Sequence, residues 1–150
     1  MMIKNKLYAA YGSNLNLKQM ANRCPTARVL GGSALTGWRL LFRGEHANAV
    51  ATVEPCAGSR VPVLVWEITP ADEAALDRYE GYPFLYRKER VKVKLDGKTV
   101  TAMVYLMNDG RPLAQPSCYY YTSILEGYKS AGFDTDILKK ATIDSVEADI

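Results

Sequence analysis

The chain has 150 residues, 48% of them apolar and 23% charged, with a formal net charge of +3. That length suits one compact domain over residues 1–150, burying roughly 70% of its extended surface on folding, and leaves no room for a second domain. No stretch approaches the roughly 20 uninterrupted apolar residues of a membrane span, and Lys and Arg alternate with acids, as in "YRKERVKVKLDGK", instead of forming the one-sign block of a nucleic-acid surface.

Cys24, Cys56 and Cys118 are odd in number, far apart and without a C-x-x-C pair, so ordinary thiols are expected in place of a disulfide framework or a zinc cage. The single histidine, His46, has no second histidine or cysteine near it, which argues for metal-free chemistry and for a structural or exposed role. The opening "MMIKNKLYAAYGSN" has no apolar h-region. A secretory signal is therefore not expected, and a cytoplasmic location is.

In chain order, "KLYAA" (Lys6 to Ala10) reads as a first strand. "NLKQMANRC" then reads as a short helix capped by Asn16, with Gln19 three residues on and Pro25 as its stop. "ARVLGGSALTGWRLLFRG" reads as two strand pieces broken by glycines, and the valine-rich "NAVATVEP" and "VPVLVWEI" as further strands. Trp38 and Trp66 are expected in the core.

Thr69 is placed to cap a helix that has Pro70 at its first position and Asp72 and Glu73 at the positive end of its dipole. The helix is expected to run to Glu80, with Gly81 supplying a left-handed end and Pro83 preventing continuation. "LYRKERVKVKL" and "KTVTAMVYLM" alternate like half-buried strands around Asp96-Gly97, a strong hairpin signal. Met107 to Ser117 has no regular pattern. "CYYYTSILEGYKSAG" has helical spacing at Tyr120, Ile124, Leu125 and Tyr128, and "DTDILKKATID" reads as a last helix capped by Asp134. Five or six strands with helices dispersed between them predict an α+β fold. Its sheet should be small, mostly antiparallel and curved, or closed into a barrel, with helices on its flanks.

Two features could carry chemistry. Glu80 sits at the negative pole of its helix three residues after Asp77, and both circumstances disfavour the carboxylate and raise its pKa, as a general base requires. The plain alternative is a solvated helix-end glutamate. Tyr11-Gly12-Ser13-Asn14 links a strand to a helix; with Gly12 at an unusual φ, its N–H groups would converge on an anion such as a carboxylate, the alternative being a capped turn. Ser13 as a nucleophile lacks a base, and Arg87 or Arg90 on a strand could attract a substrate carboxylate or simply face solvent.

Taken together, "YAAYGSNLN", "ATVEP" before "VLVWEI", "ALDRYEGYP", and "YLMND" with "PS", "YY" and "ILEGYKSAGF" after it resemble the γ-glutamylcyclotransferase family, including its plant AIG2-like relatives, from about Leu7 to Phe133. The resemblance implies a mixed fold around a small barrel, no cofactor and no metal. It implies Glu80 as the acid/base, and substrate-binding roles for Tyr11, Gly12, Ser13 and Asn14, with Tyr8 close by. It also implies a pocket-facing tyrosine at Tyr120, although Tyr119 and Tyr121 leave that register open. "RPLAQPSCY" departs from the proline run of the animal enzymes, so the leaving side of the pocket is expected to be lined differently.

The implied partner is a small γ-glutamyl compound, cyclised to 5-oxoproline with loss of an amine or amino acid; neither nucleic acid nor membrane is expected as a partner. The residues do not select among a free amino acid, a lysine ε-amine, another amine or a masked antibiotic intermediate as the departing group. A non-catalytic ligand binder on the same scaffold is the alternative. An aromatic barrel for single-stranded nucleic acid is disfavoured because the tyrosines gather in turns and in a helical segment. No long exposed apolar edge signals an oligomer.

Overall fold

A computed structural model describes residues 5–146. Among them, five strands form one sheet: β1 (Lys6–Ala10), β2 (Arg28–Arg43), β3 (Val50–Ile68), β4 (Tyr86–Leu95) and β5 (Lys98–Met107), in the order β2-β3-β1-β5-β4. The β2–β3, β3–β1 and β4–β5 ladders are antiparallel, and β1–β5 is parallel. The sheet is mostly antiparallel and strongly curved. Its edges approach each other, since a Cβ on Gly31 of β2 would lie 3.3 Å from Leu95 Cδ1 of β4, but among the described residues no ladder joins them and the barrel stays open.

The segment expected as two pieces is the single strand β2, and the two valine-rich segments are the single strand β3. The glycines bend the strand without ending it: the β2–β3 register shifts between Val29 and Gly31 and again between Thr36 and Trp38, as β-bulges do. Pro55 and Pro62 are tolerated in β3 because β1 pairs only with Leu64 to Ile68, leaving the proline-bearing stretch without a ladder on that side. The β4–β5 hairpin turns at Asp96 (φ 51°) and Gly97 (φ 78°), as expected.

Helices α1 (Leu17–Arg23), α2 (Pro70–Glu80), α3 (Cys118–Ala131) and α4 (Thr135–Asp144) flank the sheet, and one turn of 3-10 helix spans Ser13–Leu15. Asn16 caps α1 through Gln19 N–H at 3.2 Å, but the Gln19 side chain does not complete a capping box; its Nε2 donates to Ser123 Oγ on α3 at 2.9 Å. The box at α2 is complete, with Asp72 N–H donating to Thr69 Oγ1 (3.2 Å) and Thr69 N–H to Asp72 Oδ2 (3.0 Å). Gly81 ends α2 in the left-handed region at φ 67°. Thr69→Ala is expected to cost about 1 kcal/mol, read as a lower urea midpoint with unchanged slope.

A continuous apolar cluster runs from Tyr8 and Leu15 through Phe42, Val65, Leu76 and Tyr105 to Ile124 and Leu138. Trp66 is buried in it, and Trp38 packs against it half-buried. The segment after β5 is irregular, yet it is tied along β2 by Gly44 N–H to Pro112 O (2.9 Å) and Ala114 N–H to Phe42 O (3.2 Å). His46 is exposed in the β2–β3 turn. No helix among the described residues is long and apolar enough to cross a membrane.

Candidate active site

The stretch after β1 turns back at once, with Leu15 N–H bonded to Gly12 O and Asn16 N–H to Ser13 O, both at 3.0 Å. As in any first helical turn, the amides of Ser13 and Asn14 have no partner within it. Gly12 has φ −121°, which is not the unusual value expected. Its smallness matters for space instead: a Cβ there would meet Ala51 Cβ at 3.3 Å and Tyr120 Oη at 3.6 Å.

Opposite this turn stands the C-terminal end of α2. Tyr11, Gly12, Ser13 and Asn14 share a small cavity, of about 20 Å³, with Glu80, Ala51, Tyr86, Tyr105 and Tyr120. Asn14 Nδ2 lies 3.4 Å from Glu80 Oε1 and donates to Tyr8 Oη at 2.8 Å. Tyr8 thus backs Asn14 and does not itself line the cavity. Asn14 Oδ1 accepts from Arg23 Nη1, so both ends of the amide are held.

Glu80 is half-buried as a residue, while its carboxyl faces this enclosed space. Burial lifts the carboxyl from the ordinary 4.5 to about 7, against the opposing pull of the Arg23 guanidinium. Asp77, expected from its spacing to raise Glu80 by like-charge repulsion, points elsewhere. Its carboxylate accepts from Tyr105 OH (2.7 Å) and Lys88 Nζ (3.0 Å), which neutralises it. Desolvation is the cause of the elevated pKa.

The tyrosines form the rest of the wall. Tyr11 OH donates to Tyr105 O at 2.6 Å, Tyr86 OH donates to Ala51 O, and Tyr120 Oη accepts from Ala51 N–H at 3.0 Å. Burial raises the pKa of Tyr11, Tyr86, Tyr105 and Tyr120, keeping all four neutral phenols at ordinary pH. Among the three adjacent tyrosines of α3, Tyr120 faces the cavity and Tyr119 is 79% exposed.

Tyr86, Tyr105 and Ala51 are cavity residues that were not singled out from the sequence. A tyrosine within the apolar run "TAMVYLM", whose hydroxyl must find a partner once buried, was the available signal for Tyr105. Arg87 is not brought to the cavity: it pairs with Glu89 at 3.3 Å and donates to Met107 O at 3.1 Å, while Arg90 is exposed. A far larger cleft, about 890 Å³, lies beside Lys6, Glu73 and Lys88, where the Glu73 carboxylate is ion-paired with both lysines.

Residues 8–123 match the family described as "Gamma-glutamyl cyclotransferase, AIG2-like". The chain is 30% identical over 143 residues to a γ-glutamylcyclotransferase of Homo sapiens, covering 89% of this chain and 76% of that protein. It is 29% identical over 150 residues to a γ-glutamylcyclotransferase of Bos taurus, covering 94% and 78%. A solved structure of a γ-glutamyl cyclotransferase superposes with TM-score 0.82 at 28% identity, covering 97% of this chain and 90% of that one. YkqA from Bacillus subtilis shares the fold with TM-score 0.80 at 18% identity, covering 95% of this chain and 55% of that one. With residues 8–123 matched to the family and the fold superposing on a solved γ-glutamyl cyclotransferase, the chain belongs to the γ-glutamyl cyclotransferase, AIG2-like family.

Proposed function

We propose that the protein cyclises γ-glutamyl amides, releasing 5-oxoproline and an amine or amino acid, with Glu80 as the proton carrier. The observation that carries this reading is a desolvated carboxyl, titrating at about 7, within 3.4 Å of the Asn14 amide in the cavity formed by the Tyr11–Asn14 turn.

A γ-glutamyl amide contains its own nucleophile. The α-amino nitrogen bonds to the γ-carbonyl carbon, closing a five-membered lactam, and the amide C–N bond breaks. Because attack is intramolecular, holding the chain folded back supplies much of the acceleration; well-oriented cases reach effective molarities of roughly 10⁵ to 10⁸ M. The remaining task is proton transfer. The ammonium gives up one proton before attack. As the ring closes, Glu80 as carboxylate takes a second from the attacking nitrogen and, as the acid, delivers it to the departing nitrogen, which leaves as the neutral amine, a double role that suits a pKa near neutrality. The amides of the turn and the Tyr120 hydroxyl, which accepts from Ala51 N–H and keeps its own proton to give, are donors for the substrate carboxylate or the developing oxyanion, and one such donor is worth about 3 kcal/mol in the transition state.

Purified protein incubated with a panel of γ-glutamyl compounds is expected to yield 5-oxoproline by mass spectrometry. kcat/KM should rise with pH through about 7 as Glu80 ionises. Binding of γ-glutamyl compounds without 5-oxoproline from any of them would favour the non-catalytic reading. A flat profile between pH 5 and about 8 would remove Glu80 from the proton transfer.

A further inference from the structure

The cavity at Glu80, with room for about one water-sized sphere, adjoins a second and larger space through two hydrogen-bonded pairs. Ser13, in the cavity wall, shares a 2.8 Å hydrogen bond with the hydroxyl of Tyr79, and Asn14, also in that wall, accepts from Arg23. Tyr79 and Arg23 belong to an outer recess of about 460 Å³, whose other walls are Gln19, Asn22 and Tyr119. The Arg23 guanidinium lies over the Tyr79 ring, 3.4 Å from its centroid, so the two form one stacked partition. Tyr79 is 43% exposed and ends in a single hydroxyl contact, which makes it the displaceable part.

Among the described residues, Arg23 is the only charged one lining the recess. No carboxylate among them lies within ion-pair distance of it, and its hydrogen bonds go to the neutral side-chain oxygens of Asn14 and Gln19. A half-buried guanidinium that has met only neutral acceptors retains its capacity for a bidentate anion. It also stands close enough to act on the Glu80 carboxyl electrostatically, so the distance from reacting atoms to Arg23 is short.

Resting on the cyclotransferase reading, we infer that Arg23 is the specificity-determining residue for the departing group. The γ-glutamyl end enters the inner cavity, the amine side occupies the recess over Tyr79, and Arg23 selects leaving groups that carry a carboxylate next to the departing nitrogen. In a γ-glutamyl amino acid that carboxylate is two bonds from the nitrogen that Glu80 protonates, on the side facing the recess. A plain alkylamine or a lysine ε-amine offers nothing there for the guanidinium. Substrate entry breaks the Ser13–Tyr79 hydrogen bond and swings Tyr79 outward.

The test uses γ-glutamyl-alanine and γ-glutamyl-ethylamide, which differ only in the leaving group's carboxylate. Native protein is expected to favour the alanine compound in kcat/KM, and Arg23→Gln to shrink that preference by about 10- to 100-fold, with partial recovery in Arg23→Lys. Taking the ratio cancels any effect of the substitution on Glu80 that both substrates share. Calorimetric binding of the same pair to Glu80→Gln, with and without Arg23→Gln, reads the preference independently of turnover. No preference in the native protein, or an equal loss on both compounds in Arg23→Gln, overturns the assignment. If neither compound yields 5-oxoproline, the cyclotransferase reading fails, and the calorimetric ratio alone decides whether Arg23 reads the carboxylate.

Discussion

Glu80→Gln is expected to fold normally and to lose turnover of γ-glutamyl compounds by about 10³-fold or more, within the range that positioned acid–base groups contribute. Glutamine keeps the size of the side chain and an oxygen to accept from Asn14 Nδ2, but it neither takes nor gives a proton. Undiminished activity in this variant would assign the proton to another group. The same variant carries a stability signature of opposite sign. A carboxyl whose folded pKa lies above its unfolded one contributes stability that is fully present below the unfolded value and lost as pH rises through the folded one. For Glu80 that window runs from 4.5 to about 7, and the displacement corresponds to about 3 kcal/mol. Glu80→Gln should therefore be the more stable protein at pH 8 and converge on the native one near pH 4. Denaturant titrations at the two pH values check this, and equal stability at pH 8 would mean that the carboxyl is solvated.

Gly127→Ala is expected to be the most disruptive small substitution. Helix propensity alone favours alanine by about 1 kcal/mol. Here, however, the added Cβ would lie 2.6 Å from Leu15 Cβ, 2.7 Å from Leu15 C and 2.9 Å from Leu15 O, so it strikes the backbone of the site turn and not a flexible side-chain tip. Overpacking of this kind costs about 1–3 kcal/mol. Since Leu15 follows Ser13 and Asn14, turnover should fall as well, by about 10²-fold for a displacement near 1 Å. Lys129→Ala on the exposed face of the same helix is the control and should change little. A stable, fully active Gly127→Ala would contradict the close seating of α3 on the turn.

Both predictions concern elements whose local structure is written in single residues. Thr69, Pro70, Asp72 and Gly81 bound α2, Asp96 and Gly97 turn the hairpin, and Asn16 starts α1. Each of these signals is a side-chain-to-backbone bond or a backbone torsion within a few residues, which is why the chain alone discloses it. The Tyr11–Asn14 turn and Glu80 were legible as candidates for the same reason.

Whether glycines in β2 end a strand or bend it depends on what pairs alongside, and only the β3 partner decided for a bulged continuous strand. The cause of the Glu80 pKa was equally non-local. Spacing within α2 suggested Asp77, whereas the assembled structure turns Asp77 to Lys88 and Tyr105 and leaves burial, against a turn 66 residues away, as what raises it. Tyr86, Tyr105 and Arg23 likewise became site neighbours only when β4, β5 and α1 converged. By itself, then, the chain determined its helices, their caps and the hairpin turn, because those rest on short-range bonds. The tertiary structure decided which groups are desolvated together and which charges find partners, because desolvation and Coulomb forces act through space among residues that the sequence holds far apart.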